Sequence, residues 1–157
     1  MSKPTVVFIE LKIASKDRYV CDLAEKLYDN SIPVCIFVKD EKSAKNLDDM
    51  LWTWKQESFV PHKVVSGNEE HTETVLITTN QQYFQATEAL IQYDPLPVEL
   101  LTQYKLIIDF AEVYHSDKKI ASRVRYKALR DSEKYDLHFT QLGTILSKKN
   151  ISLHTAD

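Results

Sequence analysis

At 157 residues, 43% hydrophobic and 27% charged with a net charge of −3, the chain has the size and balance of one globular domain that buries its own core. Its longest apolar runs, such as Ile32 to Val38, are too short to cross a bilayer, and the opening MSKPTVVFIE lacks the basic segment and apolar core of a signal peptide. Gly67 and Gly143 are the only glycines, so neither a GxGxxG nor a Walker A loop can be written, which argues against the usual nucleotide-binding classes.

Thr5 to Leu11 (TVVFIEL) is a continuous β-branched and aromatic run, the pattern of a strand covered on both faces. Asp17 to Asn30 then sets Val20, Leu23, Ala24, Leu27 and Tyr28 on one helical stripe. Asn30 and Pro33 end that helix and lead into a second apolar strand, Pro33 to Val38. Asp40 is the expected N-cap of the next helix, in which Ala44, Leu47, Met50, Leu51 and Trp54 share a face. Strand, helix, strand and helix in succession predict a right-handed βαβ unit of a parallel sheet. Cys21 and Cys35 have no paired spacing and read as packed, reduced thiols of a cytoplasmic protein.

Leu51 to His62 (LWTWKQESFVPH) holds both tryptophans, Trp52 and Trp54, followed by Phe59, Val60 and the rigid Pro61. Large aromatics so concentrated either close a core or anchor a partner. Pro61 to Glu73 is polar and reads as a loop or an irregular edge. Val75 to Thr79 and Ala89 to Tyr93 are the third and fourth strands. A turn at Asp94 to Pro97 gives way to a short helix, Val98 to Tyr104, and Lys105 to Phe110 is the fifth strand. The expected fold is a single three-layer α/β domain over residues 1–157: a mostly parallel sheet of about five strands flanked by helices, Rossmann-like without a nucleotide-binding loop. Residues 131–157 are a C-terminal extension, with a weak amphipathic segment at Leu137, Leu142, Ile145 and Leu146 and a docked or frayed tail from Asn150.

Catalytic patterns are wanting. His62, His71, His115, His138 and His154 are scattered without an HExxH, and neither cysteine has a partner at zinc-ligand spacing. Glu69, Glu70, His71 and Glu73 read as a solvated acidic loop. Asp109 lies near the end of the fifth strand, where α/β enzymes hold catalytic carboxylates. With no phosphate loop or nucleophile beside it, a capping or structural role is expected. No enzyme activity, metal or cofactor is therefore expected.

From Asp117 to Arg130 six basic residues face one acid, a net charge of +5 in a chain that is negative overall. At about 100° per residue, Ile120, Ala121, Val124 and Ala128 form one apolar arc. Lys119, Arg123, Tyr126, Lys127 and Arg130 form an adjacent basic arc, and Arg125 points elsewhere. Like charges at i,i+4 repel, so this face is either solvated or meets something acidic.

Four segments carry a family resemblance: DEKSAKNLDDMLW at Asp40 to Trp52, ESFVPH at Glu57 to His62, IIDF at Ile107 to Phe110 and RYKALR at Arg125 to Arg130. In content, order and spacing they resemble the chi subunits of bacterial DNA polymerase III, from the first helix to Arg130. The resemblance implies a non-catalytic cytoplasmic adaptor in DNA replication that pairs with the psi subunit of the clamp loader. It also implies capture of the acidic, Phe-ending C-terminal tail of single-stranded DNA-binding protein, so that contact with DNA is indirect. Carried over by position, Lys119, Arg123, Tyr126, Lys127 and Arg130 match the tail-binding helix, the edge of the apolar arc receiving the terminal Phe. Trp52, Phe59, Val60 and Pro61 match the surface used for psi and for helicase-like repair proteins. Ala111 stands where relatives tend to carry Val, which implies a shallower tail pocket. Trp54 is an additional aromatic that would enlarge the partner surface. The alternative is direct binding of single-stranded nucleic acid by the helix 117–130, against which the overall negative charge and the few interleaved aromatics count.

Overall fold

The computed structural model describes residues 3–67, 69–82 and 88–148. In chain order the elements are β1 (Thr5–Leu11), α1 (Lys16–Asp29), β2 (Val34–Phe37), α2 (Glu41–Thr53), β3 (His62–Val64), β4 (Val75–Thr78) and β5 (Ala89–Gln92). A 3-10 helix (Val98–Gln103), β6 (Leu106–Glu112), α3 (Ser116–Ser132), β7 (Asp136–Gln141) and α4 (Leu142–Ser147) follow. The seven strands pair in parallel in the order β3-β4-β2-β5-β6-β1-β7. Parallel strands need helices on both faces, which is why the central strands carry runs of consecutive apolar residues, with Gln92 of β5 and Asp109 and Glu112 of β6 as buried polar exceptions.

The pleat of each strand divides its side chains between two cores. Val7 and Ile9 of β1 face one core, where they meet Val20, Leu23, Ala24 and Leu27 of α1, Ala44, Leu47 and Leu51 of α2 and Ile145 of α4. Val6 and Phe8 face the other, where Leu101 of the 3-10 helix, Tyr104 and Leu129 of α3 pack. Asp40 caps α2 as expected, its carboxylate accepting from the Ser43 amide at 2.8 Å. Cys21 and Cys35 are both buried, and burial pushes each thiol up to about 12. No helix among the described residues is long and apolar enough to cross a membrane.

Among the described residues the sheet has seven strands rather than five. The two extra ones lie at its edges, β3 against β4 and β7 against β1. Edge strands need only one ladder and partial cover, so neither shows a continuous apolar run. β3 has three residues (HKV), and β7 (DLHFTQ) is half-exposed or exposed along its whole length. The extension after Arg130 thus supplies a strand and a helix. Asn150 to Asp157, including His154, lies outside the described residues.

Candidate functional site

The helix with the basic arc is fixed by polar contacts. Ser122 Oγ accepts from the Glu112 amide at 3.1 Å and lies 2.8 Å from the Lys118 carbonyl and 3.2 Å from that of Phe110. Arg125 forks onto Asp109, Nε to Oδ2 at 2.9 Å and Nη2 to Oδ1 at 3.1 Å, and Nη2 also donates to the Phe110 carbonyl at 3.2 Å. The Phe110 amide donates to Asp109 at 2.7 Å, and Gln92 approaches it at 3.4 Å. Burial raises the Asp109 carboxyl above its ordinary value, against the lowering pull of Arg125 and the Phe110 amide. Asp109 is therefore a structural anchor for α3, and Arg125 points away from the basic arc because it is bound there.

This anchoring decides what α3 shows to solvent. Its buried residues are Ser122 and Leu129, and Tyr126 packs edge-on against Phe8 with ring centroids 5.1 Å apart. The arc of Ile120, Ala121, Val124 and Ala128 is consequently turned outward, with Ile120 59% and Val124 63% exposed. None of these residues lines the cavity that adjoins the basic arc.

The cavity, of about 850 Å³, lies between α3 and the sheet. Lys119, Arg123, Tyr126, Lys127 and Arg130 all line its helical wall, and Ala111, Val113 and Phe139 supply apolar surface, with Phe8 buried beneath Tyr126 at its floor. Lys119, Arg123 and Lys127 make no ion pair or side-chain hydrogen bond among the described residues, while Arg130 approaches Asp131 at 3.4 Å. One carboxylate, Glu10, also lines the cavity and is neighboured by Lys12 at 3.5 Å and Gln141 at 3.4 Å. A basic wall beside apolar surface suits an anionic ligand with an apolar end. Phe8 and Phe139 escaped the sequence reading because they reach the cavity from strands far away in the chain. The one local cue to Phe139 is the alternation of Leu137 and Phe139 in β7.

The aromatic stretch forms a second surface, at the end of α2. That helix packs beside β3 and β4, near the edge of the sheet remote from β7 and on the face opposite α3. Trp52 is 54% and Phe59 68% exposed, with their rings 5.9 Å apart. Val60 is 2% exposed, which corrects its placement among partner-contacting residues: it belongs to the core under the loop. Pro61 is half-buried. Trp54 turns inward to pack on the same core, so it does not enlarge the surface; its buried Nε1 has no hydrogen-bond partner among the described residues. Glu25 of α1 holds the loop beneath, accepting from Ser58 Oγ and from Lys55 Nζ at 3.1 Å. His62 is buried behind Trp52, with the two ring centroids 4.6 Å apart.

In the acidic loop, Glu69 is turned onto the amides of Ser66 at 2.6 Å and Gly67 at 2.5 Å. Those bonds, that of Ser66 foremost, lower its carboxyl to about 2. Among the described residues no group of three His, Cys, Asp or Glu side chains is placed to hold a metal ion.

Fold and surfaces together define a parallel α/β domain without a glycine phosphate loop, carrying a basic groove and an exposed aromatic pair far apart on its sheet. The chain belongs to the family described as DNA polymerase III chi subunit, HolC, whose model matches residues 3–136. It is 30% identical over 119 residues to DNA polymerase III subunit chi of Escherichia coli strain K12, covering 75% of this chain and 80% of that protein. In fold it is similar to the C-terminal domain of the DEAD-box protein Dbp5, with a TM-score of 0.50, 17% identity and coverage of 87% of this chain and 89% of that one. Phe139 lies beyond the stretch matched by the family model.

Proposed function

We propose that the chain is a non-catalytic adaptor of DNA polymerase III that joins the clamp loader, through psi, to the acidic C-terminal tail of single-stranded DNA-binding protein. The observation that carries the tail reading is the convergence of Lys119, Arg123, Tyr126, Lys127 and Arg130 on one cavity that also has apolar surface. A guanidinium such as that of Arg123 clamps a terminal carboxylate in a bidentate fork. Lys119, Lys127 and Arg130 attract the aspartates of the tail, and the exposed Phe139, with Ala111 and Val113 beside it, accepts its terminal Phe side chain in place of the outward arc. For psi, Trp52 and Phe59 offer the exposed aromatic surface, with Pro61 at its edge, while Val60 supports it from beneath. The single-domain adaptor acts as a bridge because its two surfaces lie toward opposite edges and on opposite faces of the sheet.

Titration with a synthetic acidic peptide ending in Phe tests the tail site. Binding weakens as salt rises, because the cations of the groove are largely exposed. Arg123→Ala is expected to weaken binding by more than about tenfold, as is removal of the terminal Phe, each at least about 1.4 kcal/mol. Unchanged binding in either case rules the tail reading out. Tight binding of a single-stranded oligonucleotide by the isolated chain, with a steep salt slope, would favour direct nucleic-acid recognition instead.

A further inference from the structure

We infer that His62 is the positioning residue of the Trp52–Phe59 surface, holding the Trp52 ring in a fixed outward pose that a partner then meets. The inference rests on the docking reading of that surface given above. His62 opens β3 and its side chain is fully enclosed, with 0% exposure. Its Nδ1 lies 2.7 Å from the Val60 carbonyl oxygen, and its Nε2 lies 3.0 Å from Asp48 Oδ1 and 3.2 Å from the Asp48 carbonyl. Both ring nitrogens therefore face acceptors, one on the loop that carries Phe59 and one on α2.

Asp48 and Trp52 are one helical turn apart on α2, so their side chains lie on the same side of that helix. The imidazole occupies the notch between them, fixed by Asp48 and packed against the Trp52 ring at 4.6 Å, with the planes 50° apart. An exposed tryptophan at a helix end otherwise samples several rotamers, and a ring already held in its bound pose spares the partner the cost of ordering it. Phe59 is held from the same direction: it sits between Ser58, bonded to Glu25, and Val60, whose side chain is in the core and whose carbonyl meets His62. One buried ring thus ties the end of the helix, the loop and the edge strand into a single support for two exposed aromatics. The partner that fits is an apolar segment able to lie across two tilted rings.

The experiment uses the full chain in a Trp54→Phe background, where Trp52 is the one remaining tryptophan, and follows its time-resolved fluorescence anisotropy. With His62 present, the Trp52 decay follows the tumbling of the whole protein. In His62→Ala a fast ps–ns component appears, that of a ring free to change rotamer. His62→Phe fills the notch without a ring N–H to donate, stays folded by circular dichroism, and shows the same component at lower amplitude. With the psi subunit of the same organism as probe, Trp52→Ala weakens binding by more than about thirtyfold and His62→Ala by about tenfold. A folded His62 variant whose Trp52 remains rigid overturns the inference, as does a mobile Trp52 with undiminished psi binding. If Trp52→Ala binds psi at full affinity, the docking reading itself falls, whatever the anisotropy shows.

Discussion

Helices α2 and α3 are alike on paper and opposite in space. Each shows an apolar arc on a helical wheel, Ala44, Leu47 and Leu51 in one and Ile120, Val124 and Ala128 in the other. In α2 the arc is buried and polar residues face water. In α3 the arc faces water, and the helix turns Ser122, Arg125, Tyr126 and Leu129 toward the sheet. Periodicity says which side chains share a face, and it says nothing of which face turns inward when a buried charge is waiting on the sheet. Asp109, 2% exposed on β6, is that charge. Leaving it unpaired would cost several kcal/mol, more than burying Ile120 and Val124 would return.

The sharpest way to break this contrast is to remove the tether. Arg125→Ala strands a buried carboxylate and is expected to cost about 3–5 kcal/mol of stability, the usual penalty for losing one partner of a buried pair. Urea unfolding followed by circular dichroism measures it. Replacing both partners by apolar residues, Asp109→Leu with Arg125→Met, removes the stranded charge and is expected to recover much of the loss. A double variant no better than Arg125→Ala would mean that α3 is oriented by something other than its ion pair.

The corresponding change in α2 acts through packing alone. Leu51→Ala removes a side chain that is 2% exposed in the core beneath α2 and is expected to cost about 2–5 kcal/mol. In α2 the loss scales with the volume removed, whereas in α3 it follows the stranded charge. A Leu51→Met variant, nearly matched in volume, is expected to lose less than about 1.5 kcal/mol by the same measurement.

The same distinction explains what was legible in the sequence. Strands β1, β2, β4, β5 and β6 announce themselves because a strand covered on both faces carries a near-continuous apolar run. β3 and β7 do not, because one free edge and partial cover leave mixed patterns such as DLHFTQ. The five residues of the basic arc were legible as neighbours, since spacing along one helix fixes their common side. The apolar side of their groove was not, because Phe8 and Phe139 come to it from β1 and β7. Leu51 and Trp52 at the other surface were legible for the same reason as the basic arc: Leu51 shares the stripe of Leu47 and Trp52 lies about 100° off it, and the structure buries the first and exposes the second. His62 and Val60 belong to the aromatic surface as its support, a role that exists only once β3 is docked beside α2.

The smallest expected effect is the most direct probe of the outward arc. Ile120→Ser combined with Val124→Ser changes two β-branched residues in the middle of a helix, substitutions that would cost several kcal/mol if the arc were in a core. Both side chains are more than half exposed, so little apolar surface is returned to water, and serine has nearly the helix propensity of isoleucine or valine. The expected change in stability is within about 0.5 kcal/mol of zero, read from the urea midpoint at constant slope. Binding of the acidic peptide is also expected to stay within about twofold of wild type, because neither residue lines the cavity beside Arg123 and Tyr126. A loss above about 2 kcal/mol would show that the arc is covered in solution, and a large loss of peptide affinity with stability intact would return the terminal Phe to the arc.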